Sequence, residues 1–236
     1  PVVFASSDGG ARIAASSSDG LITCLDKNGA VLWSFPSGAP VASSLSVGDF
    51  DGDGMADIFA ITQTGVIFRF SETGALLWKI DMQGRTLASG AIIDINNDGK
   101  LEYVLSTQRG HLLGYNQNGE AIFDHQFDNR TINVTPAFGD VTRGSKDLEM
   151  VISGGESGQT FCFATPALKS SQQEWISYRG DVQNSGSWFG LAQSNTLRMI
   201  PQNLRGDQLF SGESIRFNII NPEKGKELIA TAVCTR

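Results

Sequence analysis

Apolar and turn-forming positions recur with one period along the first three quarters of the chain. Arg12 to Trp33, Asp57 to Trp78 and Glu102 to Phe123 superpose without a gap. Gly20, Gly65 and Gly110 fall in one column and Gly29, Gly74 and Gly119 in another, both at spacings of 45 residues. A fourth copy from Glu149 aligns after about one inserted residue and puts Gly158 in the first glycine column. Each copy reads as an apolar or β-branched run, a turn, an alternating run, a second turn, and an apolar run that closes on an aromatic in the first three copies. The alternating run presents Leu21/Thr23/Leu25, Val66/Phe68/Phe70, His111/Leu113/Tyr115 and Gln159/Phe161/Phe163 on one face. That face is expected to pack on a neighbouring repeat. Asp19-Gly20, Asn28-Gly29 and Asn118-Gly119 are the strongest hairpin signals, because these turns need φ > 0. Further runs at Val2 to Phe4, Ala42 to Val47, Leu87 to Ile93 and Val134 to Phe138 bring each repeat to about four strands and no helix, the size of a propeller blade.

The rhythm breaks after Phe163. Thr165 to Glu174 is polar with no clear fourth strand. From Leu197 another pattern begins: Leu197/Met199 and Ile215/Phe217/Ile219 alternate, Leu228 to Val233 is apolar, and Gly206, Gly212 and Asn221-Pro222 punctuate. The expected organisation is all-β: four blades over residues 1–190, then the opening strands of a β-sandwich-like, Ig-like domain over 191–236. Roughly 40 residues are too few for a self-sufficient sandwich, so that second domain reads as partial.

Composition narrows the function. Of 236 residues, 40% are hydrophobic and 18% charged, enough apolar mass for real cores, so disorder is excluded. The formal charge of −7 with no basic stripe argues against a nucleic-acid partner. No run approaches 18 apolar residues, so no transmembrane helix is expected. A start at Pro1, without Met or a leader-type segment, reads as a mature or excised piece. Cys24, Cys162 and Cys234 have no C-x-x-C spacing and read as small core hydrophobes, with one bridge left open.

Two loops carry candidate chemistry. Asp49, Asp51, Asp53 and Asp57 stand at positions 1, 3, 5 and 9 of one loop, with Gly54 at 6 and the Met55 carbonyl at 7. Calcium takes six to eight oxygens, and alternate residues of a tight loop can turn theirs inward. One repeat later Asp94, Asn96, Asp98, Lys100 (through its carbonyl) and Glu102 keep the same frame. With one carboxylate fewer, this is the weaker of two expected Ca2+ sites. A single Asp-Gly is an ordinary turn; five specified positions repeated in the equivalent place are a metal pattern. Neither loop has the Glu at position 12 of an EF-hand, where Ala60 stands in the first. Asp140 to Glu149 keeps its ends but has Arg143 and Gly144 where middle ligands are needed, and the first repeat has Phe4 in place of the first Asp; neither is expected to hold metal. Loops that supply every oxygen leave no open position for substrate, so stapling of a blade is the expected role.

At these residues the chain resembles a known family. GDFDGDGMADIFAIT and IIDINNDGKLEYVLS, each followed by a Gly-led strand, are similar to the FG-GAP/VCBS repeats of integrin-α-like and bacterial secreted β-propellers. The GLITCLDKNGAVLW run is also similar to quinoprotein-like blades. Trp175, Arg179, Asp181 and Gly186 match the W-x-x-x-R-x-D-x-x-x-x-G stretch that often closes such propellers, which implies a closing segment at 175–188. The resemblance implies a calcium-stabilised, non-enzymatic module that is secreted, periplasmic or at the cell surface. It also implies more blades than four, from the same chain or another.

Other signals are weaker. His111 and His125 have no catalytic partner motif. RGD occurs at Arg179 to Asp181 and at Arg205 to Asp207; in the first, Arg179 and Asp181 are expected to pair with each other. Asn129 and Asn133 head glycosylation sequons. Trp33, Trp78 and Phe123 are expected to pack between blades rather than form a sugar platform. The resulting expectation is a binding or scaffold module that holds a protein or glycan partner on its loop face. The alternatives are a carbohydrate-recognition accessory of a polysaccharide enzyme and, less favoured, a quinoprotein-type oxidoreductase fragment, for which no cofactor floor is found.

Overall fold

The computed structural model describes residues 1–189 apart from 42, 128–130, 143, 155–158 and 182, and beyond them three strands at 198–201, 214–221 and 226–233. Among the described residues there is no helix, and so none long and apolar enough to cross a membrane. The chain divides into two units, Pro1–Gly190 and Leu191–Arg236.

Each repeat folds as its own antiparallel sheet. The first is β1 (Val2–Ala5), β2 (Ala11–Ser16), β3 (Leu21–Asp26) and β4 (Val31–Pro36). The second is β5 (Ser46–Gly48), β6 (Asp57–Ile61), β7 (Val66–Ser71) and β8 (Leu76–Asp81). The third is β9 (Ala91–Ile93), β10 (Glu102–Ser106), β11 (His111–Tyr115) and β12 (Ala121–Gln126). The fourth, β13 (Ala137–Gly139), β14 (Asp147–Gly154) and β15 (Gln159–Leu168), has three strands among the described residues rather than four. Its third strand runs on through Thr165 to Leu168, where no strand was expected. Then β16 (Gln173–Trp175) pairs with β9, and β17 (Ser187–Trp188) lies parallel to β1. Residues 172–188 thus link the third sheet to the first, and on the way the Ile176 carbonyl accepts the Phe138 N–H of the fourth. In the second unit β18 (Arg198–Pro201), β19 (Ser214–Asn221) and β20 (Lys226–Val233) form an antiparallel sheet.

The repeat extends to the register. A row of paired residues crosses each of the first three sheets: Val3–Ile13–Leu25–Val31, Val47–Ile58–Phe70–Leu76 and Ile92–Tyr103–Tyr115–Ala121. A bulge stands at the same place in each, at Cys24/Leu25, Arg69/Phe70 and Gly114/Tyr115. The row faces the preceding sheet. Phe35 packs edge-on against Phe68 and Phe70 at 5.5 and 4.9 Å, and Phe59 of the second sheet stacks on Tyr103 of the third at 4.2 Å. Phe161 and Phe163 of the fourth join Phe123 and Phe127 of the third in a second core cluster. Each fully buried aromatic or aliphatic side chain contributes about 1.5–3 kcal/mol, so these interfaces hold the sheets in order.

The expected apolar face of the alternating run therefore packs on a neighbour in the second, third and fourth repeats. In the first it does not. Leu21 is 41% exposed, Thr23 and Leu25 are half-buried, and the buried positions of that strand are Ile22 and Cys24. The expected Arg179–Asp181 pair is also absent. Arg179 donates to the Asn184 and Ser185 carbonyls, while Asp181 accepts the Gln183 and Ser185 N–H groups and the Ser185 hydroxyl. The tripeptide is a turn held from both sides. Gly158, Asn129, Arg143, Arg205 to Asp207 and Cys234 lie outside the described residues.

Candidate metal centre

Two loops sit at equivalent corners, one between β5 and β6 and the other between β9 and β10. Their glycines permit the reversal: Gly52, Gly54 and Gly99 all have φ near +80°. In the first loop Asp49, Asp51 and Asp53 each offer an oxygen within 4.8 Å of the others, the one such trio of acidic groups among the described residues. Asp49 is buried. Its Oδ2 accepts the Gly54 N–H at 2.9 Å, while its Oδ1 has no hydrogen-bond partner. Burial raises the Asp49 pKa, and the neighbouring Asp53 and Asp51 charges add to that. Met55 is 39% exposed at the loop's end.

Asp57 stands apart from that trio. Both of its oxygens are taken by one guanidinium: Arg69 Nε donates to Oδ1 at 3.0 Å and Nη2 to Oδ2 at 2.9 Å, while the Phe50 N–H also reaches Oδ2 at 3.0 Å. Arg69 Nη2 bonds Asp51 as well. Burial pushes the Asp57 pKa up, against the opposing pull of the Arg69 guanidinium. Sequence reasoning passed over Arg69. Its signal was a lone charge in the strand Ile67–Phe68–Arg69–Phe70, where the first and third repeats have Cys24 and Gly114.

Among the described residues no arginine or lysine forms an ion pair with the carboxylates of the second loop. Asp94 accepts N–H groups from Asp98 and Gly99, and Asn96 accepts from Asp98. Asp98 in turn accepts from the Lys100 N–H. Glu102, equivalent to Asp57, accepts the Ile95 N–H at 3.0 Å and interacts with the Asn96 N–H as well. Burial, with the Asp98 and Asp94 charges behind it, pushes Glu102 up to about 7. Gly114 stands where Arg69 would be, and Phe123 covers it so closely that a methyl there would lie 2.2 Å from the ring.

The aromatic column is packed rather than displayed. The Trp33 indole N–H donates to the Glu72 carbonyl of the next sheet at 3.1 Å, and Trp78 repeats this with Gln117 at 3.1 Å. Trp175 and Trp188 are buried. No tryptophan lies open as a sugar platform. His111 bonds Asp124 at 2.7 Å, and His125 packs edge-on against Phe127.

Comparison with known proteins agrees with this architecture. Residues 41–75, which span the first loop and its flanking strands, match the FG-GAP repeat. Among solved structures the chain is similar to BamB from Moraxella catarrhalis (TM-score 0.50, 12% identity over 99% of this chain and 64% of that one). It is similar to BBS1N in complex with ARL6DN (0.51, 15%, 71% and 50%) and to the V. cholerae biofilm matrix protein Bap1 (0.53, 18%, 98% and 41%). At these identities the likeness is one of fold: the chain is a β-propeller, as the 45-residue repeat predicted. It spans less than two thirds of each of these chains. No curated protein matches the sequence.

Proposed function

We propose that this chain is a calcium-stabilised, non-enzymatic propeller scaffold that works in a secreted, periplasmic or cell-surface setting and holds a protein partner on its loop face. The observation that carries it is the buried, unpartnered Asp49 Oδ1 beside the Asp51 and Asp53 carboxylates. An anionic oxygen without a donor in a buried place is costly unless a cation is supplied. Asp49, Asp51, Asp53 and the Met55 carbonyl would hold one ion. Asp57 would join them by releasing Arg69. Asp94, Asn96, Asp98, the Lys100 carbonyl and Glu102 would hold the second, where no cation among the described residues is paired with them. The non-enzymatic part of the reading is supported by both histidines being engaged in local contacts. A protein partner is supported by the fold likeness to BBS1N, whose structure is a complex with ARL6DN.

The test is calorimetric titration of the chelator-treated protein with CaCl2, paired with melting in calcium and in excess chelator. Two bound ions and a higher melting temperature with calcium are expected. No heat of binding and identical melts would reduce both loops to acidic turns.

A further inference from the structure

At the ends of β6 and β10 that lie away from the acidic loops, the repeat builds one backbone frame twice. In the first frame the Ser37 N–H donates to the Gly20 carbonyl and the Gln63 N–H to the Pro40 carbonyl, each at 2.8 Å. One repeat on, the Met82 N–H donates to the Gly65 carbonyl at 3.1 Å and the Gln108 N–H to the Arg85 carbonyl at 2.8 Å. The side chains on the two frames differ. Where the first has Gly38, Pro40 and Thr64, the second has Gln83, Arg85 and Arg109. The frame itself therefore calls for no arginine, and the two that stand on it need another reason.

The second frame surrounds an open cavity of about 220 Å³ between the β6–β7 turn, the segment that leaves β8 and the β10–β11 turn. Arg85 and Arg109 line it with Thr64, Gln83, Gly84 and Gln108, none of them acidic. Both arginines are exposed, and among the described residues neither forms an ion pair and neither guanidinium donates a hydrogen bond. Elsewhere the arginines are employed: Arg12, Arg69 and Arg179 each bond carbonyls or carboxylates. Two like charges lining one cavity repel each other, and in a chain with 25 acidic against 18 basic residues carboxylates to pair with them are plentiful. Gln83 adds a second sign. Its φ is +52°, in the left-handed region that the preceding frame fills with Gly38 at +79°, and the Asp81 carboxylate holds the turn by accepting the Gln83 N–H at 2.9 Å. A non-glycine residue kept in that conformation on a cavity wall is the kind of strain that accompanies a binding site.

We infer that this cavity binds a tetrahedral oxyanion, a phosphate or sulfate group, with Arg85 and Arg109 as its charged donors and the Gln83 and Gln108 amides as neutral ones. A single guanidinium fork satisfies a carboxylate. Two forks from separate segments match a group with more oxygens and up to two negative charges. The volume lies below the roughly 300–1,000 Å³ of pockets that enclose a whole small molecule, so the cavity takes the anionic group and leaves any body that bears it outside. No aromatic side chain lines it to stack on a ring. The site stands at the opposite strand ends from Asp49–Asp57 and Asp94–Glu102, and the inference does not rest on the calcium reading.

The test is calorimetric titration of the full chain, in excess chelator, with sodium sulfate and sodium phosphate against a sodium chloride blank of matched ionic strength. Saturable binding of one anion per chain is expected, with acetate bound at least roughly tenfold more weakly. Arg85→Gln, and Arg109→Thr, which installs the residue of the preceding frame, should each weaken binding roughly tenfold or more, the loss of one charged hydrogen-bonding partner, and should leave the melting temperature in chloride unchanged. Gln83→Gly should raise the melting temperature by relieving the left-handed backbone while weakening sulfate binding, a split that a merely structural residue would not show. Methyl phosphate and methyl sulfate separate the sources: affinities equal to those of the inorganic ions assign the site to a free anion, and tighter ones assign it to a group borne on a larger ligand. The inference is overturned if no anion binds saturably, if affinity survives both arginine substitutions, or if acetate binds as tightly as sulfate.

Discussion

Arg69 grips Asp57 with two parallel hydrogen bonds, Nε to Oδ1 at 3.0 Å and Nη2 to Oδ2 at 2.9 Å, deep in the second sheet where each residue is 4% exposed. This guanidinium occupies, electrostatically, the place of a cation beside the first acidic loop. Arg69→Gln leaves Asp57 buried without its counter-ion, at a cost of about 3–5 kcal/mol. It also frees Asp51 and Asp57 for a metal. The variant is expected to melt well below the parent in chelator and to recover more than the parent on adding calcium. Equal melts in chelator, or equal calcium gains, would show that Arg69 is not the resident counter-ion.

The equivalent residue of the next sheet, Glu102, pairs with no cation among the described residues, and this sets a pH dependence. Burial lifts its pKa from the ordinary 4.5 to about 7, so the fold binds its proton more tightly than the unfolded chain does. The stabilisation is full below 4.5 and is lost as pH rises through 7. In chelator, melting temperature should therefore fall across this interval, and Glu102→Gln should flatten the slope. Calcium favours the ionised carboxylate and should reverse the slope in the parent. A parent and variant with parallel pH profiles in chelator would remove Glu102 from this role.

The repeat, the turn glycines and the strand positions were legible because each rests on local rules: alternation, and φ > 0 at fixed columns. Gly20, Gly29, Gly65, Gly74, Gly110 and Gly119 all take positive φ. The two loops were legible as a spacing pattern. The Arg69–Asp57 pair was not, since it joins residues on adjacent strands whose chemistry reads as an isolated charge and a metal ligand. Nor was the path of residues 172–188: strands of three and two residues carry too few positions for any periodicity. The tryptophan latch was half-legible. Trp33–Glu72 and Trp78–Gln117 share a sequence separation of 39, but only the structure shows which carbonyl the indole meets.

That latch can be weighed directly. Trp33→Phe keeps an aromatic ring but removes the fused five-membered ring with its N–H; the lost hydrogen bond alone is worth about 1 kcal/mol, or roughly 2–4 °C in a chain of this size. Gly74→Ala should cost more. It pays about 1–2 kcal/mol for a side chain in the left-handed region and must also displace an indole 2.5 Å away. Gly9→Ala, at a similar φ of +78° with nothing within 4 Å, pays only the first term. Equal losses in the two glycine variants, read by thermal melting, would mean that Trp33 moves aside freely and the latch contributes little.

The cysteines give the last expectation. Cys24 and Cys162 are both free; Cys24 is buried in the first sheet, and Cys162 is exposed on the outer strand of the fourth. Burial pushes the Cys24 thiol up to about 11, with Arg12 only partly offsetting it. A thiol reagent needs both access and thiolate, so Cys24 is slowed twice. In a Cys234→Ser background at pH 8, one thiol should react at once and the second only when denaturant is added. Cys162→Ser should remove the fast phase alone. Two fast thiols would mean that the first sheet opens readily in the native protein, consistent with weak cover on its outer face, whereas none without reductant would mean that the two cysteines are bridged and the sheet order is wrong.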